Sequence, residues 1–422
     1  MGGFRSPQSP HPIRRRFARR IDRPTEGAVG SFRMATPLRI AWWRRRRTRD
    51  LLFQAALIAG VLLLFGIMAN NAIQTVERQH IATGFGFLDH TAGFDVVQTL
   101  VRYDETSTYG RVLLVGILNT LLVAAIGIVL ATLLGFLVGI GQLSSNWLVA
   151  RLARSFVEIV RNLPLLLQIF FWYFAVLRAL PGPRESWGVA DAVFLNNRGL
   201  YLPAPVAESG FGFVMLAFAA GAIASIFMFL RAKAVRERTG RVSPVAPGTT
   251  ALLVVPALLA SAAAGFPMSF SVPALSGFNF QGGIVVLPEM MALVVALATY
   301  TASYIAEIVR AGIEGVARGQ TEAAQALGLN RGQMLRLVIV PQAMRQIIPP
   351  LTSQYLNLTK NSSLAVAIAY PDLVSVFAGT TLSQTGQAIE IIAITMAVYL
   401  TLSLLTSAFM NWYNARVALT ER

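Results

Sequence analysis

Eight long apolar runs constrain this chain of 422 residues more than any other feature. They lie at about 51–69, 112–143, 163–177, 214–230, 250–264, 289–309, 354–377 and 390–412. Roughly 20 apolar residues in a helix cross the ~30 Å hydrocarbon layer of a bilayer. Lipid offers the backbone no hydrogen bonds, so such runs must bond within themselves, as helices do. The weak alternation of barrel strands is absent from them. The expected class is an all-α polytopic membrane protein with about eight transmembrane helices. A composition with 55% hydrophobic and 13% charged residues agrees.

Charge orients the runs. The first 50 residues hold fourteen arginines against Asp22, Glu26 and Asp50, and Arg44, Arg45, Arg46 and Arg47 directly precede the first run. Basic flanks stay on the cytoplasmic side, so the arm is expected there, next to anionic membrane lipid and not bound to nucleic acid. With the N-terminus inside, thirty of the 36 Lys and Arg residues fall in cytoplasmic segments, and both termini are expected in the cytoplasm. The first run lacks a small-x-small cleavage site and reads as an uncleaved signal anchor. The Pro-, Arg- and Ser-rich stretch before Met34 is expected to be disordered, with Met34 as the biological start.

Several chemistries are excluded. There is no cysteine, and His11, His80 and His90 lie outside the apolar runs, so no metal site or other cofactor is expected. A phosphate-binding P-loop needs Lys between Gly and Ser or Thr. Lys233 precedes Ala and Lys360 precedes Asn, and no HExxH or GxSxG is present, so this is not an enzyme that hydrolyses ATP itself. Gly135 and Gly139 in the second run allow close helix approach, either within the chain or between subunits. The outside loops, 70–111 and 178–212, mix aromatics, Pro, Gly and charge; each is either a small docking cap or a linker.

The polar signal is concentrated between 307 and 372. Glu322, Ala323 and Ala324 open a short helix expected at 321–327, and Gly328 permits a turn with positive φ. A second helix from about 331 to 340 is expected to stop at Pro341. The seventh run is the least apolar and carries Asn357, Lys360, Asn361, Ser362, Ser363 and Asp372. Polar groups at membrane depth face a cavity or one another, so they are candidates to line a path for a zwitterion. The alternative is that Lys360 and Asp372 reach opposite interfaces. Glu307 is expected to pair with Arg310.

The spacing EAA-x3-G-x9-V-x-V-P over 322–341 resembles the coupling loop of permeases of bacterial ABC importers. Asn119-Thr120-Leu121, the 161–168 stretch RNLPLLLQ and the 360–364 stretch KNSSL are similar to elements of the polar amino-acid branch, and the longer architecture to general L-amino-acid permeases. The resemblance covers about 112–178 and 289–413; Val338 and Val340 stand where Ile and Leu are more usual. It implies a five-helix core with three extra helices: a signal anchor and loop (51–111), first core part (112–178), insertion (179–286) and second core part (287–422), with the coupling loop at about 310–345. It further implies that Glu322, Ala323, Ala324, Gly328 and Pro341 couple to ABC ATPase subunits. Asn357, Lys360, Asn361, Ser362 and Ser363 would line the path for an amino-acid substrate. The implied partners are a second, paralogous permease and a periplasmic amino-acid-binding protein, in the bacterial inner membrane. The competing expectation is an ion-gradient-driven secondary transporter, with inverted repeats and intramembrane acids; no convincing repeat is found.

Overall fold

The computed structural model describes residues 46–78, 83–239 and 245–417. The chain divides into two compact units, 1–78 and 79–422. The first holds α1 (Arg46–Arg78), 33 residues that include the first apolar run. At 1.5 Å per residue it is about 50 Å long, more than a bilayer core requires. Most of the basic arm, with Met34 and His11, lies outside the described residues, as does His80.

The second unit begins with a short helical turn and α2 (Tyr109–Gln142), whose first turn is capped by the Thr108 hydroxyl accepting from the Arg111 N–H. Next come α3 (Trp147–Asn162) and α4 (Leu165–Phe170), the latter continued by a π-helical turn to Leu177. After them run α5 (Phe211–Thr239), α6 (Val245–Ala263), α7 (Pro288–Glu314), α8 (Arg318–Ala326), α9 (Arg331–Met334), α10 (Val340–Asn361), α11 (Leu382–Thr385) and α12 (Ala388–Val417). Among the described residues five helices are long and apolar enough to span a membrane, and two sharply bent pairs bring the total to seven. The fifth expected run forms a shorter apolar helix, 247–263 within α6.

The axis of this unit is α2 against α7. Helices in lipid gain little from apolar contact alone, so they associate where small residues let backbones approach. A Cβ on Gly135 would sit 2.6 Å from the Ile305 side chain, and one on Gly139 2.8 Å from the Ala306 carbonyl oxygen. Ala292, Ala296, Ala302 and Ala306, with Leu293, Leu297 and Ile305, are fully buried along α7. The Gly135/Gly139 face therefore serves packing within the chain.

Three expectations need correction. The third run is not a full span on its own: its helical segment covers only Leu165–Leu177 and meets the preceding α3 at 106°, across the extended Leu163 and Pro164. The seventh run is not one continuous helix: a 3-10 stretch from Ser362 to Ile368 ends at Ala369, and the chain resumes at Leu373 bent by 53°. Pro341 does not stop the second coupling helix. A π-turn at Leu335–Ile339 carries α9 directly into α10, and Pro341 falls in the first turn of α10. Pro341 has no N–H to give, and it enters where the π-turn shifts the hydrogen-bond register, the Val340 N–H reaching back to the Leu335 carbonyl.

Among its described residues the insertion carries eight short strands, β1 (Trp187–Val189), β2 (Val193–Asn196), β3 (Gly199–Leu202), β4 (Ala204–Ala207), β5 (Met268–Ser271), β6 (Ala274–Ser276), β7 (Asn279–Gln281) and β8 (Ile284–Val286). They form an antiparallel sheet in the order β1-β2-β3-β8 and two ribbons, β4-β5 and β6-β7. Chain from before α5 thus pairs with chain from after α6, with Tyr201 opposite Val285. Tyr201 is buried, packs 4.9 Å from the Phe280 ring and donates to Asn279 Oδ1 at 2.8 Å. The α5–α6 hairpin beneath is held by the Ser225 hydroxyl donating to the Thr249 carbonyl at 2.9 Å, and by Gly221, where a Cβ would lie 2.2 Å from the Leu252 carbonyl.

Candidate functional site

The elbow between α8 and α9 is closed at both ends by its own backbone. The Leu329 N–H donates to the Ala324 carbonyl and the Gly328 N–H to that of Gln325, at 3.2 and 2.9 Å. This pair of bonds requires a left-handed residue after the cap, and Gly328 has φ +72°. Two residues on, Asn330 and Gln333 form a reciprocal capping box that starts α9. Four positions therefore turn one helix into the next with few free backbone groups.

Such a closed elbow presents side chains. Ala324 is the one buried residue of α8; Glu322 and Ala323 are exposed, and Leu327 at the tip is 80% exposed. The elbow is tied to the helices by Gln342 donating to Gln320 Oε1 at 3.2 Å and by Gln346 donating to the Gly315 carbonyl at 3.4 Å. Pro341 lies beyond the elbow, half-buried at the start of α10. Arg310, in the last turns of α7, bonds both Glu307 and Glu314.

The five path candidates do not share one environment. Asn357 and Lys360 are exposed, with Asn361 half-buried beside them at helical spacing on the last turns of α10. Ser362 is fully buried and donates to the Thr359 carbonyl, while Ser363 donates to that of Lys360, both at 2.7 Å. Their hydroxyls thus bond the helix itself. Asp372 does not reach an interface: it is 1% exposed, accepts from the Ser375 N–H at 2.9 Å and caps the π-helical segment Leu373–Thr381.

The break before Asp372 places backbone groups in the interior without helical partners, and α2 supplies them. Asn119 Nδ2 donates to the Pro371 carbonyl at 2.8 Å and to that of Gln98 at 2.9 Å. The Thr120 hydroxyl accepts from the Leu373 N–H at 3.1 Å. Gly116, one turn earlier, allows this approach; a Cβ there would lie 2.9 Å from Leu373 Cα. Gln98 Nε2 donates to the Tyr370 hydroxyl at 3.3 Å. Sequence reasoning singled out Asn119-Thr120 but not Gln98, Tyr370 or Pro371. The available signal was an amide in an apolar run, which must find a partner.

The 106° bend is secured in the same way. Gln168 Nε2 donates to the Val160 and Leu163 carbonyls at 2.9 and 3.0 Å, satisfying two acceptors left open at the end of α3. The last residue of the RNLPLLLQ stretch is thus a bend clamp.

Residues 127–419 match the family of binding-protein-dependent transport system inner membrane components. The chain is 51% identical over 396 residues to the general L-amino acid transport system permease protein AapQ of Rhizobium johnstonii, covering 92% of this chain and 98% of that one. It is 50% identical over 393 residues to YhdX of Escherichia coli (strain K12), covering 93% and 98%. It is 41% identical over 399 residues to the glutamate/glutamine/aspartate/asparagine transport system permease protein BztB of Rhodobacter capsulatus, covering 86% and 93%. With its helical frame, bent spans and exposed elbow, the chain belongs to the binding-protein-dependent transport system inner membrane component family.

Proposed function

We propose that this chain is the permease subunit of an ATP-binding-cassette importer that carries amino acids across a bacterial inner membrane into the cytoplasm. The observation that carries the reading is the α8–α9 elbow, whose backbone is spent on its own caps while Glu322, Ala323 and Leu327 face outward. A separate ATPase pair docks there and does the hydrolysis; Ala324 and Gly328 shape the elbow, and Pro341 begins the span that it moves. Because the π-turn joins α9 to α10 without a stop, a push on the elbow tilts α10 and moves Asn357, Lys360 and Asn361 at its far end. Those three line the path, with Ser362 and Ser363 setting the helix end behind them.

The elbow end of α7 faces the cytoplasm, as do both termini, and the stranded cap faces outward toward a soluble binding protein. A second, paralogous permease completes the path, and selectivity among amino acids rests chiefly with the binding protein. The three relatives, each described as a permease for amino acids, support the substrate class.

The test is mild-detergent purification from native membranes, combined with uptake of labelled amino acids. The expected result is co-elution of an ABC ATPase and a second permease, with uptake and ATPase association both lost in Gly328→Asp while membrane insertion is retained. A homomer free of any ATPase, with uptake driven by an ion gradient, overturns the reading.

A further inference from the structure

The polar side of α3 faces a cavity of about 870 Å³, closed by Gln142 at the end of α2 and by Tyr304, Glu307 and Arg310 on α7. Arg154, Glu158 and Arg161 stack along α3 at helical spacing and line it together. Arg310 is taken up by Glu307 and Glu314, but among the described residues neither Arg154 nor Arg161 forms an ion pair, and neither does Glu158. Arg154 donates to the Gln142 carbonyl at 3.3 Å, and the Arg161 guanidinium lies 5.0 Å from the Tyr304 ring centre. The side-chain nitrogen of Gln142, a residue 3% exposed, has no hydrogen-bond partner among the described residues.

A ligand that satisfies this set carries both an anionic group and an ammonium. It also arrives from water. Leu148, Leu152 and Ile159, all exposed, form the apolar face of α3 on a different side from the Arg154–Glu158–Arg161 row. A bilayer meeting that apolar face does not meet the cavity.

We propose that this cavity binds free α-amino acids at the cytoplasmic mouth of the permease. Arg154 and Arg161 take the carboxylate, the Gln142 amide supplies a further donor to it, and Glu158 takes the ammonium. Guanidinium–carboxylate contacts are the strong, directional ones available here. The volume beyond these groups leaves the side chain unread, so amino acids of different size bind alike. The inference rests on the permease reading above, and specifically on the elbow end of α7 facing the cytoplasm.

The chain has no cysteine, so Asn162→Cys places a single thiol on the cavity wall. The experiment measures its modification by a membrane-impermeant maleimide in inside-out vesicles carrying the assembled transporter. Millimolar L-alanine is expected to slow modification severalfold, propionate or ethylamine to leave it unchanged, and Glu158→Gln to remove the protection. A thiol that reacts equally with and without L-alanine overturns this inference and leaves the permease reading intact. A thiol reached only in right-side-out vesicles overturns the orientation on which both depend. Equal protection by propionate makes this a simple anion site, and a slow rate that speeds up when phosphatidylethanolamine is replaced by phosphatidylcholine assigns it to a lipid headgroup; either result also overturns the proposal. Should Asn162→Cys fail to reach the membrane, equilibrium dialysis of labelled L-alanine against the unmodified and Glu158→Gln complexes reads the same point, with weaker binding expected in the variant and equal binding overturning the site.

Discussion

The side-chain amide of Asn119 donates to the carbonyl of Pro371 at 2.8 Å, joining α2 to the break in the span that follows the elbow. The donor is fully buried, and its other bond goes to the Gln98 carbonyl. Asn119→Ala strands both carbonyls away from water, at about 1–3 kcal/mol for a buried group left unpaired. The expected result is a lower apparent melting temperature in detergent, read by thermal-shift assay of the purified complex. An unchanged melting temperature rules out a structural role for this bond.

Gln168 secures the other bend. Gln168→Leu keeps side-chain bulk but removes the donors to Val160 and Leu163. Loss of about 1–3 kcal/mol is expected on the same ground. Protease accessibility at the α3–α4 junction should rise. Cleavage at the wild-type rate would show that Pro164 alone sets the bend.

Glycine positions separate packing from spacing. Gly135→Val drives a side chain into Ile305, whereas Gly182→Ala meets open space. Overpacking a tight contact costs about 1–3 kcal/mol. Gly135→Val is therefore expected to reduce the yield of folded protein in membranes and Gly182→Ala to leave it unchanged, as read by fluorescence-detected size exclusion. Equal yields would mean that α2 and α7 tolerate separation.

Gly328 has φ +72°, and a Cβ there would meet nothing within 4 Å, so within this chain conformation alone sets the cost of a side chain. Gly328→Ala should cost roughly 1 kcal/mol, and Gly328→Asn less, since Asn tolerates the left-handed region. Uptake is expected to fall in the order Gly, Asn, Ala. Ala equal to Gly would remove the closed elbow from the coupling mechanism.

In the loop before α2, burial pushes the Tyr103 phenol up to about 12, with the nearby Asp95 and Asp104 carboxylates adding to the shift. Its hydroxyl donates to the Phe94 carbonyl at 2.7 Å. The folded state thus holds this proton more tightly than the unfolded one. The stabilisation is fully present below the ordinary tyrosine value of about 10 and is lost as pH rises from there toward about 12. Tyr103→Phe should remove that alkaline component from a melting-temperature profile; an identical profile would place the group in solvent.

The turn of the elbow was legible in sequence for a local reason. The turn at Gly328 is dictated within a few residues, because only glycine takes its φ without penalty and the caps of α8 and α9 lie beside it. Pro341 misled because a proline need not end a helix where the hydrogen-bond register shifts, and the π-turn at Leu335–Ile339, directly before it in the chain, makes that shift.

The sequence by itself determined that the chain lives in a membrane as helices, since apolar length leaves the backbone no other way to satisfy its hydrogen bonds. It also determined the turn of the elbow, whose capping bonds are all local. Tertiary structure alone decided where the seventh run breaks and which distant strands pair. Ala369 can leave its helix because Asn119 and Thr120 meet the exposed groups at Pro371 and Leu373, and β3 finds β8 beyond an entire helical hairpin. Hydrophobic periodicity records which face of a segment is buried, whereas a bend at membrane depth depends on partners far along the chain that no local pattern encodes.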